Sequence, residues 1–409
     1  MTRAVVALLI LPVICGVVAY AGRAEPFAHQ SPYAAWSHGP SPDPKFFPLA
    51  VWLQDPKHAP AYRALGINTY VGLWEGPTEE QLAALRRAGM FVICDQNQAG
   101  LRHRDEPIII GWMHGDEPDN AQPLPGGGYG PAIPTQRIIA DYQEMRRNDP
   151  TRPVLLNLGQ GVAYDEWKGI GCTLLDYPEY VKGCDLVSFD IYPVVHPDLP
   201  DGENWLWLVA KGVDRLRQWT QGRKVIWNAL ECTHISRPDR KATPAQVKAE
   251  VWMSLVHGSL GIIYFVHQFQ PEEIEAGLLA DPEMSAAVKA INQQILALAP
   301  VLNSPTIENA AGVMTSNPNV PIDIMVKRQG SDIYLFAVAM RNAATHGSFK
   351  LEVLRRTWGE GENGAVEVIG EGRTIPMWGG RFEDDFEPYA VHLYRVAAPS
   401  AGPRAAHAQ

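Results

Sequence analysis

From residue 46 onward the chain alternates between two hydrophobic rhythms. Short apolar runs rich in β-branched residues at 47–54, 68–74, 90–94, 108–113, 153–158, 184–192, 224–230 and 261–269 predict eight strands. Helical periodicity fills 59–65, 81–88, 135–148, 205–219, 243–257 and 280–299. Thr243 followed by Pro244 marks one helix start, and Pro300 is expected to stop the last helix. Eight strand-like runs alternating with helical ones over about 250 residues predict a parallel (β/α)8 TIM barrel across 46–303. An open doubly wound sheet shares the alternation but lacks here its glycine fingerprint after the first strand.

After residue 304 the helical rhythm stops. Apolar runs at 324–326, 333–340, 348–353, 365–369 and 390–396, separated by Gly, Asn and Pro, predict a small all-β sandwich over 304–397. A tail of small and polar residues, 398–409, is expected to be disordered. Within the barrel, the insertion 122–134 carries Gly126-Gly127-Gly128 and reads as a mobile loop. No Lys-Ser/Thr follows to make it a phosphate cradle.

The N-terminus has one basic residue, Arg3, an apolar run to Tyr20 and a small residue at Ala21. This layout predicts a signal peptide, 1–21, and a secreted or periplasmic protein. An uncleaved segment would be a membrane anchor instead, the one membrane contact expected. Residues 22–45, rich in Pro, Ser, Ala and His, are expected to lie over the surface as a leader.

Charge narrows the partners. A net charge of −10 argues against nucleic acid, whose binding surfaces are basic. In an oxidising compartment Cys172 and Cys184 are the candidate disulfide pair, while Cys94 and Cys232 are expected as buried thiols. With no C-x-x-C pair, no zinc site is expected, and no cofactor is implied.

Catalytic groups of such barrels stand at the C-terminal ends of strands. By position these are Trp74, Asp95, Asn97, Asp116, Glu117, Asn157, Asp190, Tyr192, Glu231, His234 and His267. A ring of carboxylates, amides and aromatics, poor in Lys and Arg, suits a neutral, hydroxyl-rich ligand. Glycosidic cleavage needs one carboxylic acid to protonate the leaving oxygen and one carboxylate facing the anomeric carbon. Glu117 and Glu231, ending the fourth and seventh strands, stand nearly opposite in an eight-membered ring. Asp116, Tyr192, Trp74, Asp95, Asn97, His234 and His267 are the candidate substrate contacts, Trp74 as a stacking platform. Asn97 fits a turn cap equally well. Trp112 fits core and platform alike, and Trp227 reads as core.

The segment Trp112…Asp116-Glu117-Pro118 resembles the fourth strand of the clan A retaining glycoside hydrolases, which reads Trp…Asn-Glu-Pro. Phe189-Asp190-Ile191-Tyr192-Pro193 is similar to that superfamily's sixth strand, and Phe386-Glu387-Pro388-Tyr389-Ala390-Val391 to the last strand of its appended sandwich. The resemblance implies that Glu117 is the acid/base, Glu231 the nucleophile of a double displacement, and Tyr192 a hydrogen-bond partner of the nucleophile. Asp116 stands where the superfamily has Asn; it accepts hydrogen bonds but donates none, and its charge raises the pKa of Glu117.

Two other readings remain. One is a catalytically silent carbohydrate-binding barrel, because fold does not dictate activity. The other is a metal-dependent barrel hydrolase, disfavoured because the first strand carries Trp52-Leu53-Gln54-Asp55 where a His-x-His is needed. An esterase would need a Gly-x-Ser-x-Gly elbow, and none is present.

Overall fold

Strands buried on both faces need apolar side chains at every position, and these close into a ring. The computed structural model describes residues 31–167, 169–354 and 363–397. The expected signal segment 1–21, the leader's first part 22–30 and the tail 398–409 lie outside the described residues. Eight parallel strands form the barrel: β1 (Leu49–Trp52), β2 (Thr69–Val71), β3 (Phe91–Asp95), β4 (Ile109–Met113), β5 (Val154–Leu158), β6 (Leu186–Phe189), β7 and β8 (Ile262–Phe265). β7 is two segments, Val225–Ile226 and Asn228–Glu231, separated at Trp227. β8 pairs with β7 on one side and returns to β1 on the other (Ala50 opposite Ile263), and a bridge between Asp190 and Ala229 closes the ring at the top.

Alternate residues separate two apolar layers. Ala50, Val71, Ile93, Ile110, Leu155, Leu186, Trp227, Ala229 and Ile263 fill the interior. Their neighbours Val51, Tyr70, Val92, Leu156, Val187, Leu230 and Tyr264 face the surrounding helices. Helix starts follow their capping chemistry. Thr78 and Thr243 each close a capping box with Gln81 and Gln246, opening α2 (Glu79–Ala88) and α7 (Pro244–Val256). The last barrel helix, Pro282–Leu302, runs two residues past Pro300, contrary to the expected stop. Proline there removes one amide bond near a C-terminus instead of breaking a mid-helix ladder.

Within the described part of the leader most residues lie at the surface, but Pro32 and Tyr33 do not. A short 3-10 turn, Pro32–Ala35, places Tyr33 in the barrel floor with the interior cluster. Its hydroxyl donates to Leu260 O at 2.8 Å and accepts from Trp227 Nε1 at 2.9 Å. An open barrel floor would leave Trp227 Nε1 unsatisfied, so a chain segment from outside the eight repeats closes it. In the 122–134 insertion Gln122–Pro123 pairs antiparallel with Tyr129–Gly130, and Gly126, Gly127 and Gly128 supply the positive φ of its turn.

The C-terminal domain is all antiparallel. Eight strands between Ala311 and Val396 form one hydrogen-bonded sheet whose edge strands approach each other over a shared core, a sandwich-like arrangement. Three of them escaped the sequence reading: Ala311–Thr315 is short and contains Gly312, while Arg373–Trp378 and Arg381–Phe386 are broken by Pro376 and by charged residues. The sheet packs on α7 through Phe336, whose ring lies 5.2 Å from Trp252. His257, at the end of α7, pairs with Asp214 at 2.9 Å and with Asp323 of the sheet domain at 3.0 Å. Among the described residues no helix is long and apolar enough to cross a membrane.

Candidate active site

The site is built from the end of β4. After Met113 the chain is pinned by His114, whose Nε2 lies 2.7 Å from Gly183 O, and then turns through Gly115 to Asp116 and Glu117. Glu117 has φ +42°, a left-handed conformation that a β-carbon disfavours and that costs on the order of 1–3 kcal/mol. Tertiary contacts hold it there. Its Oε2 accepts from Asn120 Nδ2 at 2.7 Å, and Trp167 Nε1 donates to Asn120 Oδ1 at 3.1 Å, fixing which end of the amide faces the glutamate. Gly159, just beyond β5, is required beside it: a β-carbon there would stand 2.9 Å from Glu117 Oε1 and 2.7 Å from Asn120 Nδ2. The amide of Gly159 donates to both oxygens of Asp119, which also accepts from Tyr177 Oη at 2.9 Å. Asp119 is therefore a buried structural acid that fastens the β4 loop to the β5 loop.

The interior parity of β6, Leu186 then Ser188, continues to Asp190 and directs it into the mouth. Its carboxyl lies beside that of Glu117, close enough for each to shift the other's protonation. Tyr192 donates its hydroxyl to Asp190 Oδ2 at 3.1 Å. Two carboxyls in contact share a proton, because two adjacent anions repel strongly in a poorly solvated site. Burial first, and the Asp116 charge second, push Glu117 up to about 7. Burial raises Asp190 well above the usual carboxylate range, with the Glu117 charge adding to it. Asp116 opens to solvent on one side, accepts from Asn157 Nδ2 at 2.9 Å, and through Asn157 Oδ1 is tied to Ser188 Oγ at 2.7 Å.

The structure thus brings Asp116, Glu117, Asp190 and Tyr192 together. Glu231 lies differently. Strand parity points it inward with Ala229, yet it is 0% exposed and accepts from the amides of Val194 (2.7 Å) and Val195 (3.1 Å). Its carboxyl meets that of Glu250 on α7, in the outer layer. Tyr192 accordingly bonds Asp190, not the expected Glu231.

Of the other expected contacts, Trp74 is 70% exposed above β2 and Asp95 is exposed at the end of β3. Asn97 caps a short helix by accepting from Gly100 N and donates to Pro77 O, so its side chain is structural. His234 Nδ1 faces Arg237 O at 3.1 Å. His267 sits against Gln54 Nε2 and Trp52 O and stacks on Phe269, ring centres 5.9 Å apart. Trp112 and Trp227 are core, Trp112 donating to Asp149 Oδ2 at 3.0 Å. Cys172 and Cys184 are free thiols and form no bridge; Cys184 Sγ donates to Val181 O. Among the described residues no three His, Cys, Asp or Glu side chains are arranged to hold a metal ion.

Asp190 was visible as a strand-end residue, but its pairing with Glu117 was not. Asn120, Trp167 and Gly159 carried no sequence signal, because each acts through a contact between loops that are distant along the chain.

Comparison with protein-family profiles and with curated protein sequences finds no match. Solved structures do match. A catalytic mutant of a family 42 β-galactosidase from G. stearothermophilus superposes with a TM-score of 0.54 at 10% identity, over 86% of this chain and 98% of that one. An α-amylase from Geobacillus thermoleovorans, complexed with acarbose, gives 0.50 at 10% identity over 87% and 99%. A maltogenic α-amylase from Thermotoga neapolitana gives 0.50 at 8% over 87% and 99%. At such identities the likeness is one of fold: the chain has the (β/α)8 barrel and appended β domain seen in these barrel glycoside hydrolases.

Proposed function

We propose that the protein is a secreted or periplasmic glycoside hydrolase acting on a poly- or oligosaccharide, with Glu117 as the proton donor. The observation that carries this reading is that the ends of β4 and β6 set the Glu117 and Asp190 carboxyls side by side in the mouth of the barrel, Glu117 held by Asn120 and Asp190 by Tyr192. A carboxyl pushed up to about 7 keeps a large fraction of its acid form at neutral pH and can release that proton to a leaving oxygen. In the proposed step the glycosidic C–O bond breaks with its electron pair going to oxygen, and Glu117 protonates that oxygen. Asp190, beside Glu117 and accepting from Tyr192 Oη, is the neighbouring group with which Glu117 shares its proton through the cycle. Water completes the hydrolysis and returns a proton to Glu117.

The double-displacement route with Glu231 as nucleophile rests on its place at the end of β7. It requires Glu231 to leave the Val194 and Val195 amides and enter the mouth, since retaining pairs stand about 5–5.5 Å apart across the sugar. Azide would restore turnover to Glu231→Gly on that route.

The test is a glycan-panel assay of the mature protein and of Glu117→Gln. Turnover by the wild type with a loss of about 10²–10⁴ in the variant supports the reading. Binding of glycans without turnover would make the protein a carbohydrate-binding barrel, and undiminished hydrolysis by Glu117→Gln would remove Glu117 from the chemistry.

A further inference from the structure

The loop from Asp190 to Leu206 carries both Asp190 and Tyr192, and the β7 side of the barrel grips it at three places. Glu231 accepts from the amides of Val194 and Val195, two and three residues beyond Tyr192. Ser236 Oγ donates to Val195 O. Arg240 donates from Nη1 to Pro200 O at 2.7 Å and from Nη2 to Leu199 O. Behind Glu231 stands Glu250 of α7, also 0% exposed, with no hydrogen-bond donor for either oxygen among the described residues. The two carboxyls adjoin, close enough for each to shift the other's protonation.

Two sealed carboxylates in contact cannot both be anions. The proton belongs on Glu250. Glu231 has two backbone N–H donors that favour its anion, whereas Glu250 has none. A protonated Glu250 then donates its O–H to Glu231 and satisfies both groups.

We infer that Glu231 and Glu250 form a sealed carboxyl pair that positions the loop from Asp190 to Leu206, and so sets Asp190 and Tyr192 against Glu117. The inference rests on the proposed hydrolase reading for its catalytic consequence, but not for its structural part. Glu231 touches no substrate on this account; it is a positioning residue. Pro193 links Tyr192 directly to the anchored Val194, so a shift of the anchor passes through a stiff backbone to Asp190 and Tyr192. Displacements of about 1 Å in a reacting group cost on the order of 10²-fold in rate.

The experiment compares Glu231→Gln, Glu231→Gly, Glu250→Gln and Glu250→Leu in the full chain, with amide hydrogen exchange at Val194–Val195 and steady-state kinetics read side by side. Glutamine at 250 keeps a donor for Glu231, and leucine does not. Exchange faster by tenfold or more, and kcat lower by about 10–100-fold with KM little changed, are expected for Glu231→Gln and Glu250→Leu. Both readouts return to near wild type in Glu250→Gln, and azide gives Glu231→Gly no turnover. Unchanged exchange in Glu231→Gln, wild-type kcat in Glu250→Leu, or azide rescue of Glu231→Gly would overturn the inference. The exchange arm needs no substrate. A wild type inactive on every glycan would therefore sink the hydrolase reading while leaving the anchoring role to be decided by exchange alone.

Discussion

Tyr192 donates its hydroxyl to Asp190 Oδ2 across 3.1 Å, and Asp190 in turn neighbours Glu117. This donor favours the anionic form of Asp190, against the burial and the Glu117 charge that raise it, and so makes the shared proton more available to Glu117. Tyr192→Phe should therefore move the proton toward Asp190. We expect kcat to fall about 10–100-fold with KM little affected, the pattern of an interaction made in the transition state. A change below threefold in kcat would take Tyr192 out of the chemistry.

The elevated Glu117 sets the alkaline edge of activity. With its carboxyl pushed up to about 7, kcat/KM should decline above pH 7 as the acid form disappears. Asp116→Asn removes the neighbouring charge that helps hold that proton, so the alkaline limb should move to lower pH. A limb that stays in place in the variant would show that burial alone sets it.

Stability should also fall as pH rises. Asp119 is pushed up to about 6 and Glu117 to about 7, mainly by burial. Groups raised in the folded state bind protons more tightly there, so their contribution is complete below the unfolded carboxylate pKa and is lost through pH 6–7. His257, pushed up to about 9 by hydrogen bonds to Asp214 and Asp323 that outweigh its burial, contributes fully below about 6.5 and loses that contribution through pH 9. The urea midpoint should therefore decline from pH 5 to pH 9, and His257→Gln should flatten the upper half of that decline. A midpoint rising between pH 6 and 8 would contradict both assignments.

Tyr33 closes the barrel floor and should matter to stability more than to catalysis. Tyr33→Phe leaves the Trp227 Nε1 donor buried without its partner, a loss of about 1–3 kcal/mol. Tyr33→Ala adds a cavity and should cost about 3–5 kcal/mol by analogy with other buried aromatics. Urea denaturation measures both. Equal stability of Tyr33→Phe and wild type would show that the hydroxyl contact contributes nothing.

The barrel was legible because strands buried on both faces leave an apolar signature that needs no knowledge of partners, and Glu117 followed from its place at the end of β4. Glu231 shows the limit of that logic. Its parity points inward, but the amides of Val194 and Val195 and the carboxyl of Glu250 turn its side chain to the outer layer. Those partners lie on elements that sequence spacing does not connect to it. Tyr33 is a parallel case: a polar, Pro-rich leader reads as surface, and only the Trp227 and Leu260 groups, about two hundred residues away, make the floor its place. The sheet domain was underread where charged residues such as Arg381, Asp384 and Asp385 punctuate the strands.

The hairpin after Pro118 has a practical bearing on how the molecule would be handled. Gly126, Gly127 and Gly128 all have positive φ and open space around them, and Leu124 and Tyr129 on either side are exposed. Such a tip is where a protease gains entry. Limited digestion should nick the chain between Leu124 and Tyr129 first. The two pieces would then travel as one particle under native conditions and separate only in denaturant, because β4 and β5 on either side of the nick remain paired within the ring.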